Sequence, residues 1–210
     1  GSSSLNEIAI PSSVTEIDTS AFCGCTSLGK IVVEEGHPKY DSREGCNAII
    51  ETATNKLIRG CKNTIIPSSV TEIGNYAFND CSSLTEIVIP SGVTEIGENA
   101  FFGCSSLKEI TIPSSVTEIG NYAFTGCSSL TEMVIPSSVT EIGNYAFNNC
   151  SSLAEIIIPS SVTKICCCAF NNCSSLAEIV IPSSVTKIGS CAFSGCRSLG
   201  KIVVEEGNPI

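Results

Sequence analysis

Fourteen cysteines against a single histidine set the chemical question for this chain of 210 residues. A cysteine is a nucleophile, half of a disulfide, a metal ligand or a small apolar filler. Spacing separates these roles. Cys81, Cys104, Cys127, Cys150, Cys173 and Cys196 follow one another at a constant interval, and Cys25 opens the same column. A thiol recurring at one point of a repeat reads as a buried packing residue. Seven in a row cannot all pair, and side chains that project in parallel do not face each other, so no ladder of disulfides is expected. The other seven stand apart: Cys23, Cys46, Cys61, the run Cys166-Cys167-Cys168, and Cys191. Cys46 and Cys61 flank one irregular segment and are a candidate disulfide. Cys168 and Cys191, one repeat apart, are a second candidate. Four thiols near one turn raise the question of zinc. A closed zinc site draws ligands from two separated loops, whereas three consecutive residues point three ways. No metal and no cofactor are expected.

His37 precedes Pro38 in a polar stretch and is expected in a surface loop. Any Ser-His-Asp arrangement would have to use it. The glycines form no phosphate-binding loop, so no enzymatic activity is expected. Carboxylates are the other abundant group. Glu86, Glu109, Glu132, Glu155 and Glu178 form one column. Glu72, Glu95, Glu118 and Glu141 form a second, which changes to Lys164 and Lys187. Residues 63–163 hold ten acids and one base, Lys108, so most of the net charge of −10 lies there. A flat row of glutamates does not make a calcium site, which needs about six to eight oxygens converging from loops. Two places beyond each glutamate of the first column runs an outward row, Val88, Thr111, Val134, Ile157 and Val180. An acidic stripe beside an apolar stripe is either an ordinary solvated face or a partner-binding face. These ten residues are the candidate partner site.

The columns exist because the chain is a repeat. Seven blocks of equal length fill 10–32 and 66–203, and one insert at 33–65 interrupts them after the first. Such a period indicates a solenoid or array rather than a globular enzyme. Val93, Ile96, Ala100, Phe101, Cys104, Leu107, Ile110 and Ile112 are the apolar set of one block. One block cannot bury them alone; stacked coils can. Thr85-Glu86-Ile87-Val88-Ile89 reads as a strand with Ile87 and Ile89 inward, ended by Pro90, which lacks an N–H. Val93-Thr94-Glu95-Ile96 is a second extended piece. Gly97 is expected to turn the chain at positive φ, and Ala100-Phe101 to lie in a 3-10-like turn. In the insert, residues 47–51 and 56–59 around 52–55 read as a β-hairpin. Residues 198–209 nearly repeat 27–38, so 204–210 read as the start of a second irregular unit and the chain as part of a longer array. The expected organisation is one solenoid domain: coils at 1–32, the insert at 33–65, six regular coils at 66–203, and 204–210. Open strand edges at its ends are candidates for end-to-end or edge self-association.

The phrase Ile135-Pro136-Ser137-Ser138-Val139-Thr140-Glu141-Ile142-Gly143, then Ala146-Phe147 and Cys150-Ser151-Ser152-Leu153, resembles the BspA-like leucine-rich repeats. These are the cysteine-containing, 23-residue class found in surface proteins of bacteria and protists. The resemblance covers 10–32 and 66–203. It implies a right-handed leucine-rich-repeat solenoid, β-rich with short 3-10 turns. It also implies a non-catalytic, extracellular module of a surface adhesin that contacts host matrix or cell-surface proteins. A structural spacer with no ligand of its own is the alternative. No catalytic or binding residue is carried over from the family. Composition is consistent with this. An acidic balance argues against a nucleic-acid partner. No apolar run approaches the ~20 residues of a membrane helix.

Overall fold

A single coil of this repeat has too few contacts to be stable alone, so its backbone groups must bond to neighbouring coils. In the computed structural model, which describes residues 2–208, they do so on two sides. Gly1, Pro209 and Ile210 lie outside the described residues, and with them the end of the 204–210 segment. On one side, strand Glu7–Ile10 pairs in parallel with Lys30–Val33, Glu132–Val134 with Glu155–Ile157, and Glu178–Ile181 with Lys201–Val204. A single parallel bridge, Val88 to Thr111, joins the coils in between. On the second side, Glu72–Ile73, Glu95–Ile96 and Glu118–Ile119 stack in parallel, as do Glu141–Ile142, Lys164–Ile165 and Lys187–Ile188. No helix among the described residues is long and apolar enough to cross a membrane.

The turn between these sides follows an alternating rule. The N–H groups of Ala77, Asn79 and Cys81 bond within the coil to Gly74, Tyr76 and Phe78. The N–H groups of Tyr76, Phe78 and Asp80 bond upward to Glu98, Ala100 and Phe102. Every second bond is therefore 3-10-like. Positive φ at Tyr76 and Asp80 keeps the turn from continuing as a helix.

Inside, the phenylalanines form one nearly parallel stack. Phe78, Phe101, Phe124, Phe147 and Phe170 are fully buried, with neighbouring ring centroids 5.1–5.6 Å apart. The column cysteines sit beside them and have a specific task. Cys104, Cys127, Cys150 and Cys173 each donate Sγ–H to the phenylalanine carbonyl of the coil below, at 3.1–3.3 Å. That carbonyl already accepts an amide of its own coil, such as Cys81 N–H on Phe78. A thiol is small enough for the core and still supplies a weak donor for the second lone pair.

Two expectations are corrected here. Gly97 is not at positive φ; that conformation falls two places later, on Asn99, Tyr122, Tyr145, Cys168 and Cys191. Gly97 is needed for close approach, because a Cβ there would lie 2.5 Å from Asn75 Oδ1 and 2.7 Å from Asn75 N. His37 is not a surface residue: it is buried, and its Nδ1 accepts the backbone N–H groups of Lys39 and Tyr40. It fastens the turn into the insert, and the proton therefore resides on Nε2.

The insert is spliced into the solenoid. Ile49–Glu51 and Lys56–Arg59 pair antiparallel, and Tyr40–Asp41 adds a third strand. Lys56–Arg59 then pairs in parallel with Glu72–Ile73, so the hairpin supplies the first rung of the second side. The insert offers too few N–H groups for the turn above it. The buried Arg59 guanidinium compensates by donating to the carbonyls of Tyr76 and Asn79 at 3.0 and 3.1 Å.

Candidate functional site

The strand side is where inward and outward residues alternate, so it presents a regular outer surface. Its outward row is exposed: Val88 by 82%, Val134 by 59%, Ile157 by 51% and Val180 by 43%. Between the insert and the middle coils this face dips into an open groove of about 1150 Å³. Glu86, Val88, Glu109, Thr111, Glu132 and Val134 line it. Glu155, Ile157, Glu178 and Val180 continue the same two rows beyond it as exposed residues.

The groove has a cause in the chain. Residues 62–65 turn instead of forming a strand, since Thr64 Oγ1 accepts Cys61 N–H at 2.8 Å and Ile65 N–H is drawn to Cys46 O. The coil above therefore has no rung beneath it on this side, and pairing is reduced to the Val88–Thr111 bridge. Residues 62–65 become the end wall, with Ile65 exposed by 75%. Sequence reasoning misses Ile65 because it assigns the residue to the insert. Ile65 stands one full repeat before Val88, and that count alone could have placed it in the row.

Electrostatically, lysines close the glutamate rows at their ends. Glu7 pairs with Lys30 at 2.6 Å, and Glu178 with Lys201 at 2.8 Å. In the second row Lys56 pairs with Glu72, and Lys164 with Glu141 at 2.7 Å. Among the described residues, no lysine or arginine forms an ion pair with Glu86, Glu109, Glu132 or Glu155. The glutamates of the groove thus form no ion pair, and Lys62 stands at its end wall. In the second row, burial and then Glu72 and Glu118 push Glu95 above the ordinary glutamate range. Glu141 is held below it, first by the Cys166 thiol and then by Lys164.

All fourteen cysteines are free thiols in this structure. Cys46 and Cys61, a candidate disulfide, belong to different cores. Cys46 packs with the regular coils and Cys61 with the first coil, yet the Cys61 thiol donates to Asn47 O at 3.4 Å, next to Cys46 in the chain, and the two are unbridged. Cys168 and Cys191 lie on adjacent coils, unbridged. Burial pushes the column thiols up, Cys81 to about 11 and Cys150 to about 12, which suits packing and not nucleophilic attack.

The repeating coil, its cysteine rung and its strand face are those of a known family. The model of the BspA type leucine-rich repeat region matches residues 1–105, 48–177 and 141–208, and the chain belongs to that family. A leucine-rich cell surface protein from Faecalibacterium prausnitzii is 35% identical with a TM-score of 0.70, over 96% of this chain and 48% of its own. A leucine-rich repeat protein from Bacteroides ovatus is 32% identical with a TM-score of 0.68, over 94% of this chain and 45% of its own. The leucine-rich repeat protein of T. pallidum is 32% identical with a TM-score of 0.67, over 73% of this chain and 77% of its own. The chain spans about half the length of the first two of these structures. No curated protein sequence matches it. Repeats of this family are generally non-catalytic interaction or scaffold modules.

Proposed function

We propose that this chain is a non-catalytic protein-binding module of a surface adhesin, which engages its partner through the strand face. The observation that carries this reading is the groove, where an exposed aliphatic row runs beside glutamates that form no ion pair within the described residues. Exposed apolar rows on a rigid sheet favour partner binding because their burial is favourable and costs little ordering of the sheet. These glutamates favour a basic patch on the partner and set its orientation. A host matrix or cell-surface protein fits the surface description carried by the Faecalibacterium relative. Capture of matrix proteins and intact host cells on the immobilised chain tests this. The double change Glu109→Lys and Glu132→Lys is expected to weaken capture at least tenfold, and unchanged capture would remove this face from consideration.

One observation favours a second reading, a spacer that holds another domain away from the cell. The face varies little from coil to coil: the glutamate is constant through five coils and the outward row stays β-branched. A tuned pocket would vary more. Capture of nothing across a panel of matrix proteins and cells would favour the spacer.

A further inference from the structure

The ridge formed by the turns carries a chemically distinct pair. Its positive-φ position is tyrosine in three of the four preceding regular coils and Asn99 in the other, and the Tyr122 and Tyr145 rings lie 4.8 Å apart and 5° from parallel. Cys168 and Cys191 take the next two places in that column. Cys168 N–H bonds to Ser190 O at 2.9 Å and Phe170 N–H to Ala192 O at 2.9 Å, which fixes Cys191 directly above Cys168. Both residues have positive φ, 54° and 57°, at the same point of the turn. One rung of this ladder falls inside the roughly 4.4–6.8 Å Cα separation that a disulfide spans. Cys191 is exposed and Cys168 half-buried, its Sγ 3.8 Å from Ser190 O and beside the Tyr145 hydroxyl; a bridge requires the two exposed turns to tilt until the side chains face each other.

The other thiols are placed differently. Cys104, Cys127, Cys150 and Cys173 are buried and held by phenylalanine carbonyls. Cys196 is half-buried, bonds to Phe170 O at 3.0 Å and lies against the Cys173 thiol, so Cys173–Cys196 is the competing pair that the test must separate. Cys46 and Cys61 are buried. Cys167 is exposed, but its column neighbours are Asn144 and Ser190.

We propose that Cys168 and Cys191 are an oxidation site whose substrate is a small-molecule disulfide, and whose product is a bridge stapling two successive coils. The Cys191 thiolate attacks one sulfur of the small disulfide. Its S–S bond breaks, and the departing thiolate takes a proton from water while a mixed disulfide remains on Cys191. The Cys168 thiolate then attacks the Cys191 sulfur, breaking the mixed S–S bond and releasing the second small thiol. Two protein thiols are oxidised and one small disulfide is reduced to two thiols.

The test uses the full chain, fully reduced and then exposed to oxidised glutathione. Alkylation under denaturing conditions and intact mass are expected to show two thiols lost and no glutathione retained. Trypsin cuts after Lys164, Lys187 and Arg197, so the bridge joins peptide 165–187 to peptide 188–197. The joined peptide is expected to vanish in Cys191→Ser and in Cys168→Ser and to persist in Cys196→Ser. Persistence in either of the first two, loss in the third, a wild-type chain that stops at the mixed disulfide, or fourteen thiols still alkylated would each overturn the proposal.

Discussion

Residues 27–37 and 198–208 are the same coil written twice, differing at His37 and Asn208, and they meet opposite surroundings. Their local structure agrees. Glu34 accepts Ser12 N–H, and Glu205 accepts Ser183 N–H at 3.0 Å. Lys30 and Lys201 each pair with the glutamate one coil below. Their burial does not agree. Ile31 is 2% exposed and Ile202 50%; Val33 is 6% exposed and Val204 48%. The first coil is covered by Tyr40, Ile49, Ile58 and Cys61 of the insert, and Asn63 Nδ2–H bonds to Gly29 O at 3.0 Å. Sequence therefore dictates the rung, while the neighbour above dictates whether its apolar face becomes core.

That contrast can be broken by substitution. Ile31→Asp places an unpaired charge under the insert and is expected to cost about 4 kcal/mol, while Ile202→Asp costs about 1 kcal/mol or less. Urea unfolding of the two variants reads the difference, and equal losses would mean the insert does not cover its coil in solution. Arg59→Leu removes the Arg59 donor from the Asn79 carbonyl and leaves Tyr76 O with the Asn79 amide alone, and is expected to cost about 3 kcal/mol. Arg59→Lys should not restore it, because an ammonium cannot reach both acceptors in the fork geometry. Asn63→Ala removes one bond between insert and coil, worth about 1 kcal/mol. Amide exchange is then expected to quicken in residues 27–37 and not in 198–208.

The smallest effects sharpen a second contrast, between the interior and the lysine-capped end of the Glu72–Glu141 row. Glu141 is held below its ordinary range, so its contribution is present at neutral pH and is lost as pH falls through that range. Glu95 is raised, so its ionisation costs stability at neutral pH, and that cost disappears on acidification. Glu141→Gln should lower the Tm at neutral pH and Glu95→Gln should raise it. Both differences are expected to fade as the pH drops through the glutamate range. Opposite signs would show that the Cys166 and Lys164 contacts do not hold the Glu141 carboxylate.

Much of this architecture was legible because a repeat averages its own message. Eight apolar columns and a recurring proline place the strands, and the cysteine column reads correctly as core. The outward rows are found where alternation puts them. What was illegible depends on contacts between coils or on the one segment without copies. Gly97 is required by Asn75 of the neighbouring coil, which its own block does not reveal. His37 looks like loop because its two acceptor bonds to Lys39 and Tyr40 depend on a fold that occurs once. Cys46 and Cys61 lie in the segment without copies, so no column reveals that one thiol turns to Ala48 O and the other to Asn47 O. The burial of Arg59, in the sequence only the last residue of a hairpin strand, follows from the carbonyls of the turn above it.

The thiol in every regular coil has a further use. A buried sulfhydryl held by a backbone carbonyl of the segment below, Gly60 O for Cys81 and a phenylalanine carbonyl for the others, reacts with an alkylating reagent only when its own coil opens. Cys81, Cys104, Cys127, Cys150 and Cys173 are therefore five built-in clocks, evenly placed along the axis. Brief labelling pulses followed by peptide mass analysis would time the opening of each coil in turn. Coils that open together should mark together, giving an opening profile of the array with no label added to the chain.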